Sequence, residues 1–240
     1  MKWKGDTLND SSYQVFITGA NRGIGLEFVR QYAGDGWRVI ACCRDPLKAT
    51  ALTTLADSSG GKVSVHSLDV SDFSQIERLA SELKDQMIDL LINNAGFYPH
   101  GSFASINYEE WQKAFLINTM APMRMVECFV EQVASSRLRK IVTLSSKMGS
   151  IADNDSGGSY PYRTSKAAVN MVMKNLAIQL KPRGIATCTL HPGWVKTDMG
   201  GANAPINVQQ SVTGMRAVIQ QLSIDNAGRF IAYDGQEIPW

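Results

Sequence analysis

Along the chain, short runs of apolar and β-branched residues alternate with longer stretches whose apolar positions recur at three- and four-residue spacing. The runs at 14–18, 38–43, 63–68, 90–93, 140–145, 186–190 and 229–233 read as strands. The helical spacing falls near 24–34, 47–57, 72–86, 107–134, 161–181 and 206–222. Seven strands separated by helices predict an α/β fold: a single-domain, doubly wound, seven-stranded parallel sheet flanked by helices, the Rossmann arrangement. Residues 1–12 are a polar extension without an apolar run, expected to be neither signal peptide nor anchor, which leaves 13–240 as the domain. The loop at 153–159, rich in Asp, Asn, Ser and Gly, is expected to be mobile, and it leads into Tyr162.

Composition narrows the function classes. A chain of 240 residues can bury one full α/β core. The formal charge of +2 comes with no basic block to track a phosphate backbone, so nucleic acid is not an expected partner. No segment reaches the length of a membrane span. Cys42, Cys43, Cys128 and Cys188 lack metal-ligand spacing and read as reduced thiols of a cytoplasmic protein, with no metal site expected.

Between the first strand and first helix stands Thr18-Gly19-Ala20-Asn21-Arg22-Gly23-Ile24-Gly25. Such a turn brings helix N-terminal amides to a dinucleotide diphosphate without side chains in the way; tight strand–helix packing is the other use of these glycines. The second strand ends in Arg44 where an NAD-selective site carries an acid, and Arg22 adds a second cation. Two guanidiniums suit a 2′-phosphate, so NADP(H) is expected over NAD(H), unless Asp45 pairs with Arg44 or both arginines are simply solvated. Asp69, followed by Val70, closes the third strand, either accepting from the adenine amino group or capping a helix. Asn93-Asn94-Ala95-Gly96 closes the fourth, where Asn93 is expected to brace neighbouring backbone.

The chemistry is carried by Tyr162 and Lys166, one helical turn apart and therefore on one face. Free tyrosine titrates near ~10, and an adjacent cation lowers that value, which makes the pair suited to proton exchange beside a nicotinamide. Ser145 and Ser146 reach the carboxyl edge of the sheet, with Ser146 the choice for the substrate hydrogen bond. Asn118 interrupts a long apolar helix, as a kink that holds a water or as an ordinary satisfied core amide. Phe97, Tyr98, Met148, Tyr160, Trp194 and Met199 lie near strand ends and could line an apolar pocket or be ordinary packing.

Together with Pro192-Gly193, these residues resemble the short-chain dehydrogenase/reductase family over essentially the whole chain, and look closest to its sniffer and C-factor group. That group contains carbonyl reductases and a bacterial developmental signalling protein. The resemblance implies a tetrad in which Tyr162 donates a proton to the carbonyl oxygen, Ser146 positions that oxygen, Lys166 holds the nicotinamide ribose and depresses the tyrosine, and Asn118 anchors a relay water. It implies that Pro192, Gly193, Val195 and Thr197 border the nicotinamide, with Thr197 bonding its carboxamide. It also places a short substrate lid near 198–210, expected to be mobile without ligand. The apolar residues on more than one face of 107–134 and 161–181, among them Met120, Met123, Met171 and Ile178, point with the resemblance to a homodimer. The expected activity is reduction of small-molecule carbonyls. A regulatory protein that binds the nucleotide, with turnover secondary, is the alternative.

Overall fold

The computed structural model describes residues 12–240, so nearly all of the polar extension lies outside the described residues. The strands are β1 Gln14–Thr18, β2 Arg38–Cys43, β3 Val63–Ser67, β4 Leu90–Asn93, β5 Lys140–Leu144, β6 Ala186–His191 and β7 Phe230–Ala232. All pair in parallel, in the order β3-β2-β1-β4-β5-β6-β7. Helices α1 Gly23–Gly34, α2 Thr50–Asp57, α3 Phe73–Glu82, α4 Tyr108–Phe115, α5 Ala121–Ala134, α6 Tyr160–Leu180 and α7 Val208–Gln221 make the crossovers. The single doubly wound sheet expected from the sequence is therefore the fold.

Alternation along the strands divides the core in two. Val15 and Ile17 of β1 pack with Phe28, Tyr32, Leu52, Met215 and Ile219 from α1, α2 and α7. Phe16, between them, faces the other way onto Ile76, Phe129, Val169 and Met173 from α3, α5 and α6. Because helices cover both faces, every residue of β1, β4 and β5 is buried, and neither face shows the polar alternation of a half-wet sheet. The chain reverses direction in the sheet between β1 and β4. This switch point opens a crevice at the carboxyl ends of the strands, where open α/β folds bind ligands.

One element departs from expectation. The helix read over 107–134 is broken into α4, a π-helical turn at Leu116–Met120, and α5. The cause is Pro122, which has no N–H for the carbonyl of Asn118 four residues earlier. The ladder slips by one residue, with the Ala121 amide donating to the Leu116 carbonyl.

Candidate active site

The glycine turn is built so that only hydrogens fit at its centre. Gly19 sits at φ 64°, and a Cβ on it would meet the Ala95 Cα at 2.9 Å; a Cβ on Gly25 would lie 2.2 Å from the Gly19 carbonyl oxygen. Arg22 precedes α1 in extended conformation, without a side-chain cap or an acid in the first turn. The opening amides of α1, alongside Asn21, Gly23 and Ile24, are thus left to an outside acceptor.

The turn is braced from β4. The Asn94 side chain donates to the carbonyls of Thr18 (2.8 Å) and Gly19 (3.0 Å), and the amides of Asn94 and Ala95 both donate to Thr18 Oγ1 at 3.0 Å. The expectation for Asn93 is corrected here: its amide reaches Thr143 Oγ1 on β5 at 3.3 Å, and its buried Oδ1 has no partner among the described residues. Successive strand residues face opposite ways, so the bracing falls to Asn94.

Asp45, the residue that could have neutralised Arg44, accepts instead from the Leu47 amide and pairs with Lys48 at 3.0 Å. Arg44 stands exposed at the exit of β2. Arg22 is in an ion pair with Asp198, from the segment expected to form the lid. Asp69 Oδ1 accepts from the Ser71 amide and hydroxyl at 2.9 and 2.6 Å beside buried Val70. The cap of α3 is Asp72, so Asp69 shapes the loop rather than capping the helix. A cradle that only glycine fills, open helix-terminal amides and a cation closing β2 fit a dinucleotide.

Gly96 links this end to the chemical end, for a Cβ on it would lie 3.6 Å from Asn118 Oδ1 and 3.9 Å from Lys166 Nζ. The Asn118 side chain is fully engaged: Oδ1 accepts from the Phe97 amide at 2.8 Å, while Nδ2 donates to the Phe97 carbonyl (2.8 Å) and Ser165 Oγ (3.0 Å). Ser165 Oγ in turn donates to the Tyr162 carbonyl at 2.8 Å, fixing the first turns of α6. Ser145 donates to the Lys166 carbonyl at 3.4 Å, so it is the Ser146 hydroxyl that is left to act on Tyr162, easing its ionisation.

The electrostatics differ from the simple pairing of phenol and ammonium. Burial pushes Tyr162 up to about 12, with the Ser146 hydroxyl drawing it down and Tyr98 adding to the rise; the two rings lie 4.5 Å apart. Burial also brings Lys166 down to about 8. Its Nζ donates to the Leu144 carbonyl at 2.9 Å and sits 5.7 Å from the centre of the Tyr162 ring. The loss of water around the phenolate dominates, so Tyr162 is raised rather than depressed and holds its proton at neutral pH.

Both segments read as mobile carry hydrogen bonds of their own. In the loop at 153–159, Asp153 pairs with Lys147 at 3.0 Å, and Arg163 donates to Ser156 Oγ and the Gly157 carbonyl at 2.8 and 3.0 Å. In the segment after β6, buried Val195 bridges Ile206, Trp194 Nε1 donates to the Gly200 carbonyl at 2.7 Å, and the Gly201 amide reaches the Thr197 carbonyl at 2.8 Å. Thr197 packs against the glycine turn, its Cγ2 3.2 Å from where a Gly23 Cβ would stand. Pro192 and Gly193 start this segment, and beyond them opens a cleft of about 410 Å³ bounded by Lys147, His191, Trp194 and Tyr233, which the four candidate catalytic residues do not line. Sequence reasoning gave no role to Asn94, Pro122 or His191. Pro122 inside a helical pattern was the clearest signal available.

The profile of the short chain dehydrogenase family matches residues 14–207, and the chain belongs to that family of oxidoreductases. It is 41% identical over 154 residues to the C-signal of Myxococcus xanthus, covering 64% of this chain and 93% of that one. Among solved structures it resembles the carbonyl reductase Sniffer of D. melanogaster, with TM-score 0.89 and 32% identity over 96% of this chain and all (100%) of that one. It resembles an NADPH-bound carbonyl reductase from chicken fatty liver with TM-score 0.90 and 33% identity, again over 96% of this chain and 100% of the other.

Proposed function

We propose that this protein is an NADPH-dependent carbonyl reductase that converts an aldehyde or ketone to the alcohol with Tyr162 as proton donor. The observation that carries this reading is a buried phenol, protonated at neutral pH, with the Ser146 hydroxyl on its side of the sheet edge and Lys166 one turn away. Reduction calls for an acid at this place, and a tyrosine held near 12 is one.

The hydride is what the nicotinamide supplies when bound. Tyr162 gives its proton to the oxygen that becomes the alcohol, and Ser146 holds that oxygen. Lys166 holds the nicotinamide ribose, and its charge favours the phenolate left behind. The Asn118 carbonyl, denied its usual helical partner by Pro122, is an acceptor for a water that returns a proton to Tyr162. Thr197, on the segment begun by Pro192, Gly193 and Val195, bonds the carboxamide. The preference for NADPH over NADH rests on Arg44, which its neighbour Asp45 leaves unpaired, and on the absence of an acid at the end of β2. The protein works as a cytoplasmic homodimer through α5 and α6, beside which Met120 of the π-helical turn and Met171 and Ile178 of α6 remain exposed.

The likeness to the C-signal favours a second reading, in which nucleotide binding serves signalling and turnover is secondary. Loss of NADPH absorbance with a panel of aldehydes and ketones separates the two. Turnover of at least one carbonyl is expected; NADPH binding without oxidation across the panel would favour the second reading.

A further inference from the structure

We infer that His191 is a positioning residue for Ser146: its ring stands in for a missing strand carbonyl and fixes the turn that carries the Ser146 hydroxyl. The inference rests on the reading of Ser146 as the group that holds the substrate oxygen.

The last regular rung between β5 and β6 runs from the Ser145 amide to the Leu190 carbonyl at 2.8 Å. Two residues further on each strand, the next parallel rung would join the Lys147 amide to the Pro192 carbonyl. That carbonyl has turned away with the segment leading to α7, where it accepts from Ser211 Oγ at 2.6 Å. The Lys147 amide donates to His191 Nδ1 instead, at 3.2 Å. A backbone N–H is always the donor, so Nδ1 carries the lone pair and the ring hydrogen sits on Nε2.

The turn at Lys147–Gly149 then has an acceptor for each of its amides. Lys147 uses the His191 ring, Met148 uses Ser146 Oγ at 3.2 Å, and Gly149 uses the Ser146 carbonyl at 2.7 Å. The Ser146 hydroxyl is thus part of the same short hydrogen-bonded unit that His191 anchors. His191 is itself held, because its carbonyl accepts from the Tyr233 amide of the segment after β7 at 2.8 Å. Burial and the Lys147 charge push its imidazole down to about 4, against the opposing pull of Asp234, so the acceptor nitrogen keeps its lone pair at working pH. Asp153 lines the same cleft, but it is paired with Lys147. Without an acceptor at 191, the Lys147 amide must find another partner by rotating the turn, and Ser146 Oγ moves with it.

The test compares His191→Leu, which removes the acceptor, with His191→Asn, whose side-chain oxygen can replace Nδ1, each in the native and the Ser146→Ala backgrounds. With an accepted carbonyl, His191→Leu should lower kcat/KM about fivefold, the worth of one hydrogen bond, with NADPH affinity unchanged. The Asn variant should restore the loss, and the Leu effect should vanish once Ser146 is alanine. Equal deficits in the Leu and Asn variants, or a Leu deficit that persists without the serine hydroxyl, would overturn the inference. Nitrogen NMR of the native protein gives a readout independent of turnover. Between about pH 5 and pH 8 the His191 ring should stay neutral with Nδ1 unprotonated, and a protonated Nδ1 would refute the hydrogen bond. A native protein inert toward every carbonyl would overturn the functional reading and the role of Ser146 with it, while the nitrogen spectrum would still decide the geometry.

Discussion

Thr18→Val is the sharpest probe of how the cofactor end is held. Valine keeps the shape of threonine, but the oxygen that accepts the Asn94 and Ala95 amides, each at 3.0 Å, is gone. A buried donor left without a partner costs about 1–3 kcal/mol. Thr18 is 2% exposed, whereas Asn94 and Ala95 are only half-buried, so water recovers part of the loss. About 3 kcal/mol for the two amides together is a fair value, equivalent to a fall in Tm of roughly 6–12 °C for a chain of this size. Thr18→Ser keeps the oxygen and loses one methyl, about 1 kcal/mol. Thermal unfolding by circular dichroism gives the stabilities, and NADPH titration should show weaker binding in the valine variant, because Asn94 also holds the Thr18 and Gly19 carbonyls. A valine variant that melts and binds NADPH like the native protein would refute the idea that β4 braces the turn.

Three further outcomes are expected. Arg44→Asp should erase or reverse the preference for NADPH over NADH in parallel titrations; an unchanged ratio would show that the 2′-phosphate is bound elsewhere. Because Lys166 is brought down to about 8, its charge is lost as pH rises through that value, so carbonyl reduction should decline above about pH 8, well before Tyr162 ionises near 12; a rate flat to pH 10 would contradict a role for the ammonium. Light scattering at micromolar concentration should give about twice the 26.3 kDa chain mass, and a value near one chain would refute the pairing through α5 and α6.

The architecture was largely legible because parallel strands buried on both faces leave long apolar runs, and each crossover helix carries its own periodicity. Chemistry that depends on single residue types at fixed spacing was legible too, as with Tyr162 and Lys166. The rest depended on direction. Asn93 and Asn94 are adjacent in sequence, but the pleat sends one toward Thr143 and the other under the glycine turn. The Lys166 ammonium is one turn from Tyr162 as expected, yet the depth of burial, which no spacing reveals, reverses the sign of the tyrosine shift. His191 was hidden for a similar reason, since its role arises only because the Pro192 carbonyl turns away from the β5–β6 ladder. Small and polar residues at 153–159 and 198–206 suggest freedom, and composition does not record the hydrogen bonds these segments make to Arg163, Trp194 and Thr197.

Carbonyl-dependent oxidation of NADPH by the native protein and by Tyr162→Phe, side by side, tests the central claim most directly. The phenylalanine keeps the ring against Tyr98 and removes only the proton, so turnover should fall by roughly two to four orders of magnitude while NADPH still binds. Comparable turnover in the two proteins would contradict Tyr162 as the acid.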